Sequence, residues 1–64
     1  MTKDQASDIM VRVRTAILGT EEALRLASMF ADPDYTVCKA LEKALRAFYK
    51  VRDRCQRVIE RVKL

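Results

Sequence analysis

Six basic side chains recur every three or four residues in the second half of the chain. They are Lys43, Arg46, Lys50, Arg54, Arg57 and Arg61, with Lys39 and Lys63 beside them. On a helix this spacing places the six, called here the basic row, on one face over about five turns. A continuous basic face of this kind can follow the phosphates of a nucleic acid backbone. The alternative is a solvated face that keeps a small protein soluble.

Charge is unevenly distributed along the chain, whose net charge is +4. Residues 1–32 carry four basic and five acidic side chains, a net charge of −1, whereas residues 33–64 carry nine basic and four acidic ones, a net charge of +5. Within the basic half, Glu42–Arg46 and Asp53–Arg57 have the spacing of ion pairs that stabilise a helix. The basic row is therefore partly neutralised and remains the strongest outward-facing feature of the sequence.

Arg52 interrupts an apolar row in the same segment. We expect its aliphatic part to pack between two helices while its guanidinium group reaches solvent or a carboxylate such as Asp8. The alternative is a polar group that disfavours wrong helix pairings.

Cys38 and Cys55 are the only cysteines, and the chain has no histidine. Their separation of 17 residues corresponds to about 25 Å along one helix, whereas a disulfide requires Cα atoms within about 7 Å. We expect both thiols to pack as small apolar side chains; a disulfide between two copies is the alternative. No paired base and nucleophile is present, so the sequence predicts no enzyme activity, no metal site and no cofactor.

Apolar residues recur in steps of three and four on both sides of the single proline, which predicts two amphipathic helices. The first stripe is Ala6, Met10, Val13, Ile17, Thr20, Leu24, Ala27 and Ala31. The second stripe is Cys38, Leu41, Leu45, Phe48, Arg52, Cys55, Ile59 and Val62. Two flanking rows at seven-residue spacing widen these stripes: Ile9, Ala16, Ala23 and Phe30 in the first helix, and Val37, Ala44, Val51 and Val58 in the second.

The segment "ADPD" predicts the boundary between the two helices. Asp32 can cap a helix whose first residue is Pro33, where the missing N–H costs nothing. Helix 1 is predicted over residues 3–31, the turn at residue 32 and helix 2 over residues 33–63. So short a connection favours an antiparallel hairpin.

Two further residue groups concern helix 1 alone. Thr2 and Gln5 have the spacing of a capping box at its start. Gly19 weakens a helix interior, and Thr20 could cap a new start, so a three-helix arrangement is the alternative. The stripe continues through this point without a slip, which favours one helix.

The composition predicts one small domain over residues 1–64 that needs support from another chain. Four apolar residues of helix 1 fall outside its stripe, and they are the candidate interface: Val11, Leu18, Leu26 and Met29. Covering them by self-association predicts an all-α antiparallel helical hairpin that dimerises into a four-helix bundle. The alternatives are a monomer with scattered surface apolar residues, a tetramer, or pairing with a different protein.

Neither a membrane segment nor a leader is expected from the sequence. No apolar run approaches the roughly 20 residues that span a bilayer, and "MTKDQAS" lacks the features of a signal peptide. The sequence therefore predicts a cytoplasmic protein with reduced thiols and no membrane partner.

The chain resembles the Rop family of plasmid RNA-binding regulators in length and in several residues. The matches are "MTK" at residues 1–3, "AD" at residues 31–32, and Cys38, Leu41 and Tyr49. The resemblance implies a helical hairpin, a dimeric four-helix bundle and RNA binding through helix 1 of both copies. The positions matching that RNA-binding face are Lys3, Met10, Arg14, Leu18 and Arg25.

Three of these five residues are basic and two are apolar, so the two amides and the aromatic side chain of the family's RNA-binding face are missing. RNA binding through the basic row would therefore use a different face. An Asp-Pro turn between two amphipathic helices is also similar to small subunits and chaperones of bacterial secretion machines, which act by helix packing. We expect a non-enzymatic, self-associating module that binds proteins as an adaptor or assembly factor; the alternative is a regulator that binds structured RNA.

Overall fold

The computed structural model describes residues 1–61, and these form two long helices that pack against each other. Helix α1 spans Lys3–Met29 and helix α2 spans Tyr35–Arg61. The hairpin measures 52 × 15 × 14 Å. The predicted all-α helical hairpin is confirmed. The predicted end of helix 2 at residue 63, the stripe position Val62 and the flanking Lys63 lie outside the described residues.

Helix α1 begins with the predicted capping box and continues without a break to Met29. The Gln5 backbone N–H donates to Thr2 Oγ1 at 3.1 Å, and the Thr2 backbone N–H donates to Gln5 Oε1 at 2.9 Å. Thr20 does not start a new helix, because its hydroxyl donates to the Ala16 carbonyl at 2.7 Å, within the continuous helix. The three-helix alternative is thereby excluded.

Helix α2 begins two residues later than predicted, because Asp34 rather than Asp32 is its N-cap. The Asp34 carboxylate accepts hydrogen bonds from the backbone N–H groups of Thr36 at 3.0 Å and Val37 at 3.2 Å. Pro33 therefore precedes the cap instead of opening the helix. Both aspartates have a side chain suited to capping, so sequence alone did not distinguish them.

Helix α1 also ends earlier than the predicted residue 31. Phe30 already has extended backbone angles, φ −65° and ψ 148°. The connection consequently covers residues 30–34, which lies at the upper end of the usual length for an αα-hairpin. Ala31, predicted as the last core position of helix 1, is exposed in this connection.

The two predicted stripes form the contact between α1 and α2, called here the seam. Six described residues are buried, and all belong to these stripes: Ala6, Met10, Ile17, Ala27, Leu45 and Cys55. At the open end of the hairpin, Ala6 and Met10 pack with Cys55, and Val58 and Ile59 lie against this cluster. The other stripe positions within the two helices are half-buried, so the core is one narrow layer of side chains.

Candidate interaction surfaces

Ten large apolar side chains are exposed among residues 1–61, and eight of them fall on two separate surfaces. Four belong to the flanking rows at seven-residue spacing: Ile9, Phe30, Val37 and Val51. Four are the predicted interface residues of α1, called here the back row: Val11, Leu18, Leu26 and Met29. The remaining two are Met1 and Tyr35. Exposed apolar area on this hairpin is therefore organised rather than scattered.

The flanking rows of both helices lie on the same broad side of the hairpin. In each helix the row residue comes directly before a seam residue, as Ile9 precedes Met10 and Ala44 precedes Leu45. Seen from one end of the hairpin, the two antiparallel chains wind in opposite directions around their helix axes. Residues that come directly before a seam residue therefore point to the same side of the hairpin in both helices. This surface, called here the apolar broad face, consists of Ile9, Ala16, Ala23, Phe30, Val37, Ala44, Val51 and Val58.

The opposite broad side is polar. Its positions carry Ser7, Arg14, Glu21, Ser28, Tyr35, Glu42, Tyr49 and Gln56. Tyr49 Oη donates a hydrogen bond to Glu21 Oε2 at 3.3 Å, which joins α2 to α1 on this side. Glu21 and Tyr49 each come directly after a seam residue. Because the two side chains touch, the residues that follow seam residues lie on this side in both helices, and the flanking rows lie on the other side. The two broad sides of the hairpin thus differ sharply in polarity.

Arg52 lies beside this polar side, and its carboxylate partner is not the predicted Asp8. Its guanidinium carbon is 4.9 Å from the centre of the Tyr49 ring, and its Nε is 3.6 Å from Asp53 Oδ1. Asp8 instead lies 3.6 Å from Arg12 Nε, one turn along α1. Each carboxylate thus lies near an arginine of its own helix: Asp8 and Arg12 have the four-residue spacing that favours ion pairs, and Asp53 directly follows Arg52.

Arg52 also lines a surface hollow of about 390 Å³ together with Arg14, Ile17 and Leu18. As predicted, the Arg52 side chain is partly covered at the seam while its charge stays at the surface. Arg52 therefore contributes both to the seam and to the polar side.

The back row is fully outside the seam. Leu18 is 66% exposed and Met29 is 72% exposed, although both are large apolar side chains. Val11, Leu18 and Met29 share one helical face with Thr15 and Glu22, on the side of α1 turned away from α2. Helix α1 is thus apolar both at the seam and on part of its outer surface.

Every residue of the basic row is exposed. Lys50, Arg54 and Arg57 line a second surface hollow of about 300 Å³ together with Asp53. The Asp53 carboxylate lies near Arg52 rather than forming the predicted pair with Arg57, so the lining of this hollow has three basic side chains and one acid. The predicted pair Glu42–Arg46 is present, with Arg46 Nη2 3.9 Å from Glu42 Oε2. Among residues 1–61, this is the only ion pair of the basic row.

The two cysteines are free thiols on one helix, as the spacing predicted. Cys55 is buried at 1% exposure, and Cys38 is half-buried at the other end of the hairpin. Cys55 packs as a small apolar side chain between Ala6 and Met10. In the described part of the chain, no cluster of three metal-ligating side chains occurs.

The five positions that match the RNA-binding face of the Rop family do not share one surface. Met10 is buried in the seam, whereas Lys3, Arg14, Leu18 and Arg25 are exposed. Arg25 lies 3.9 Å from Glu22 on the same helix.

Comparison of the chain with protein-family models, with curated proteins and with solved structures gives no significant match. Between Lys3 and Arg61, neither helix contains a segment both long and apolar enough to cross a lipid bilayer. The surfaces described above are therefore the basis for any functional proposal.

Proposed function

We propose that this protein is a non-enzymatic helical interaction module that self-associates into a four-helix bundle and binds other proteins as an adaptor or assembly factor. The observation that carries the proposal is the back row, four apolar side chains exposed on the outer side of α1. Large apolar side chains that recur on the outer side of a helix are candidates for contact with another protein.

The narrow core supports the self-association part of the proposal. Only three of the six buried residues, Met10, Ile17 and Leu45, are large. A domain of this size is marginal without disulfides, a metal or another chain. Because both cysteines are free, a further copy is the simplest support. Closed two-fold dimers are the commonest assemblies of this type.

The protein-binding part is tested by capture of a partner with the unaltered chain and with the variant Leu18→Glu. We expect the unaltered chain to retain a protein in fixed stoichiometry and Leu18→Glu to lose it, because a charge would replace an apolar contact. The matched control is Ala47→Glu, an exposed helical position of α2 outside the back row. Equal capture by all three proteins would contradict the assignment of the back row.

A second candidate function is the binding of structured RNA by the basic row. The observation favouring it is that Lys50, Arg54 and Arg57 line one surface hollow together with a single acid, Asp53. Three to six phosphate contacts would give a slope of about −2 to −5 in log K against log salt concentration.

Gel shifts with a structured RNA at low and moderate salt test this candidate. The variant Arg54→Glu with Arg57→Glu should abolish a complex that forms at low salt. The control is Arg12→Glu with Arg25→Glu on α1, where both arginines already lie near acids. If the unaltered chain forms no complex at low salt, the protein does not bind RNA. If both double variants lose the complex equally, binding depends on the net charge of the protein and not on the basic row.

A further inference from the structure

The apolar broad face is a surface that the back row does not include, and nothing described so far covers it. Its eight positions contain no charged and no polar side chain. Four of them are large and exposed, and the most exposed is Phe30 at 63%. On the opposite side of the same two helices, the corresponding positions are mainly charged or hydroxyl-bearing. Apolar surface therefore continues from the seam onto only one of the two broad sides.

We infer that the apolar broad face is the contact with a second copy of this chain. The inference rests on the proposed self-association and assigns its surface. The partner is a second copy because the face is uniformly apolar, so two such faces match each other when the chains are related by a two-fold axis. A two-fold axis brings the same surface of each copy together. Because the eight positions of this face carry no charge, the two copies do not repel each other there.

The length and width of the hairpin leave room for a stable dimer contact on one broad side. A rectangle of 52 by 15 Å, the outline of the whole hairpin, has an area of about 780 Å². Stable protein contacts bury about 800 Å² on each partner. A second copy lying along the whole face would therefore supply an interface of ordinary size, whereas a short peptide would leave much of the face uncovered.

The face is also continuous with the core of the hairpin. Val58, one of its residues, packs against the buried cluster of Ala6, Met10 and Cys55. Half-buried Ala16, Ala23 and Ala44 lie at its middle levels, where small side chains allow close approach of helices. A second copy would convert the single core layer into the centre of a four-helix bundle.

This arrangement leaves most of the other two surfaces free. Most residues of the back row and of the basic row lie on the outer sides of α1 and α2. Leu26, Arg54 and Arg61 lie at the edges of the apolar broad face, one turn from Phe30, Val51 and Val58. The dimer would thus present each of the two rows twice, and two-fold presentation raises the avidity for a partner with two contact sites.

The first test compares Val51→Glu on the apolar broad face with Val11→Glu on the back row. Both substitutions replace an exposed valine within a helix, at 41% and 63% exposure respectively. We expect Val51→Glu to raise the dimer dissociation constant at least about 100-fold, because a carboxylate would be placed in an apolar contact. We expect Val11→Glu to leave it unchanged within about threefold. Light scattering over a range of concentrations gives the masses, and far-ultraviolet circular dichroism reports whether each variant is helical.

A second measurement does not depend on the folding of a charged variant. A benzophenone amino acid placed at position 30 or at position 29 is irradiated in the assembled protein. Phe30 belongs to the apolar broad face and Met29 to the back row, so a covalent dimer is expected from position 30 and not from position 29. Crosslinking from position 29 alone would overturn the inference.

These outcomes distinguish a failure of the proposed self-association from a failure of the surface assigned to it. If the unaltered chain is monomeric at every concentration, the proposed self-association is wrong and the inference fails with it. If the unaltered chain is dimeric but only Val11→Glu dissociates it, the self-association stands and the assignment of the face is overturned.

Discussion

Tyr49 Oη donates a hydrogen bond to Glu21 Oε2 at 3.3 Å, and the Tyr49 ring lies 4.9 Å from the guanidinium carbon of Arg52. One tyrosine thus connects α1, α2 and the arginine at the seam. This contact marks the polar broad side of the hairpin, and the apolar side is opposite to it.

Tyr49→Phe should lower the free energy of unfolding by about 0.5–1 kcal/mol, because it removes a hydrogen bond to an exposed carboxylate and keeps the ring. Urea unfolding followed by circular dichroism measures the change. Glu21→Gln and the double variant complete a cycle that isolates the coupling. The control is Tyr35→Phe, whose side chain is exposed near Lys39. Equal effects at both tyrosines would contradict a bond between the helices at Tyr49.

Asp34→Ala should cost about 1 kcal/mol of stability, because the Asp34 carboxylate accepts two backbone hydrogen bonds at the start of α2. Asp32→Ala should change stability by less than about 0.5 kcal/mol, since Asp32 lies in the connection before the cap. Thermal or urea unfolding of the two variants distinguishes them. A larger loss of stability from Asp32→Ala than from Asp34→Ala would mean that Asp32 is the N-cap, as the sequence predicted.

Met10→Ala should destabilise the protein by about 2–4 kcal/mol, because it opens a cavity in the cluster with Ala6 and Cys55. Met29→Ala makes the same chemical change at an exposed position of the same helix. Its effect should stay within about 0.5 kcal/mol. Similar losses at both positions, measured by denaturant unfolding, would mean that Met29 is covered in solution by another chain.

Gly19→Ala should raise the free energy of unfolding by about 0.5–1 kcal/mol, because Gly19 lies within α1 and a Cβ atom there meets nothing within 4 Å. Ala47→Gly, at an exposed position within α2, is the opposite change and should cost a similar amount. The midpoints of thermal unfolding test both. A loss of stability on Gly19→Ala would place a neighbouring chain against this part of α1.

Much of the fold was predictable from the sequence because helix periodicity and capping are local. The stripes identified all six buried residues, and the Thr2–Gln5 spacing identified the capping box. Continuity through Gly19 followed from the unbroken stripe, which outweighed the low helix propensity of one glycine.

The features that sequence reasoning missed depend on competition or on three-dimensional geometry. Asp32 and Asp34 are chemically equal caps, and only the path of the chain selects Asp34. For the Arg52 guanidinium group the sequence suggested solvent or a carboxylate such as Asp8, whereas Asp53 Oδ1 lies 3.6 Å from its Nε. The flanking rows were visible in the sequence, but their position on one broad side follows from the antiparallel packing of α1 and α2.

The central claim is that one hairpin buries too little apolar surface to be the working form of this protein. Sedimentation equilibrium of the unaltered chain over a wide concentration range tests it most directly. We expect a mass of twice the 7.4 kDa of one chain, with a stability that rises with concentration. A mass of 7.4 kDa at the highest concentration, together with a cooperative and concentration-independent melting transition, would contradict it.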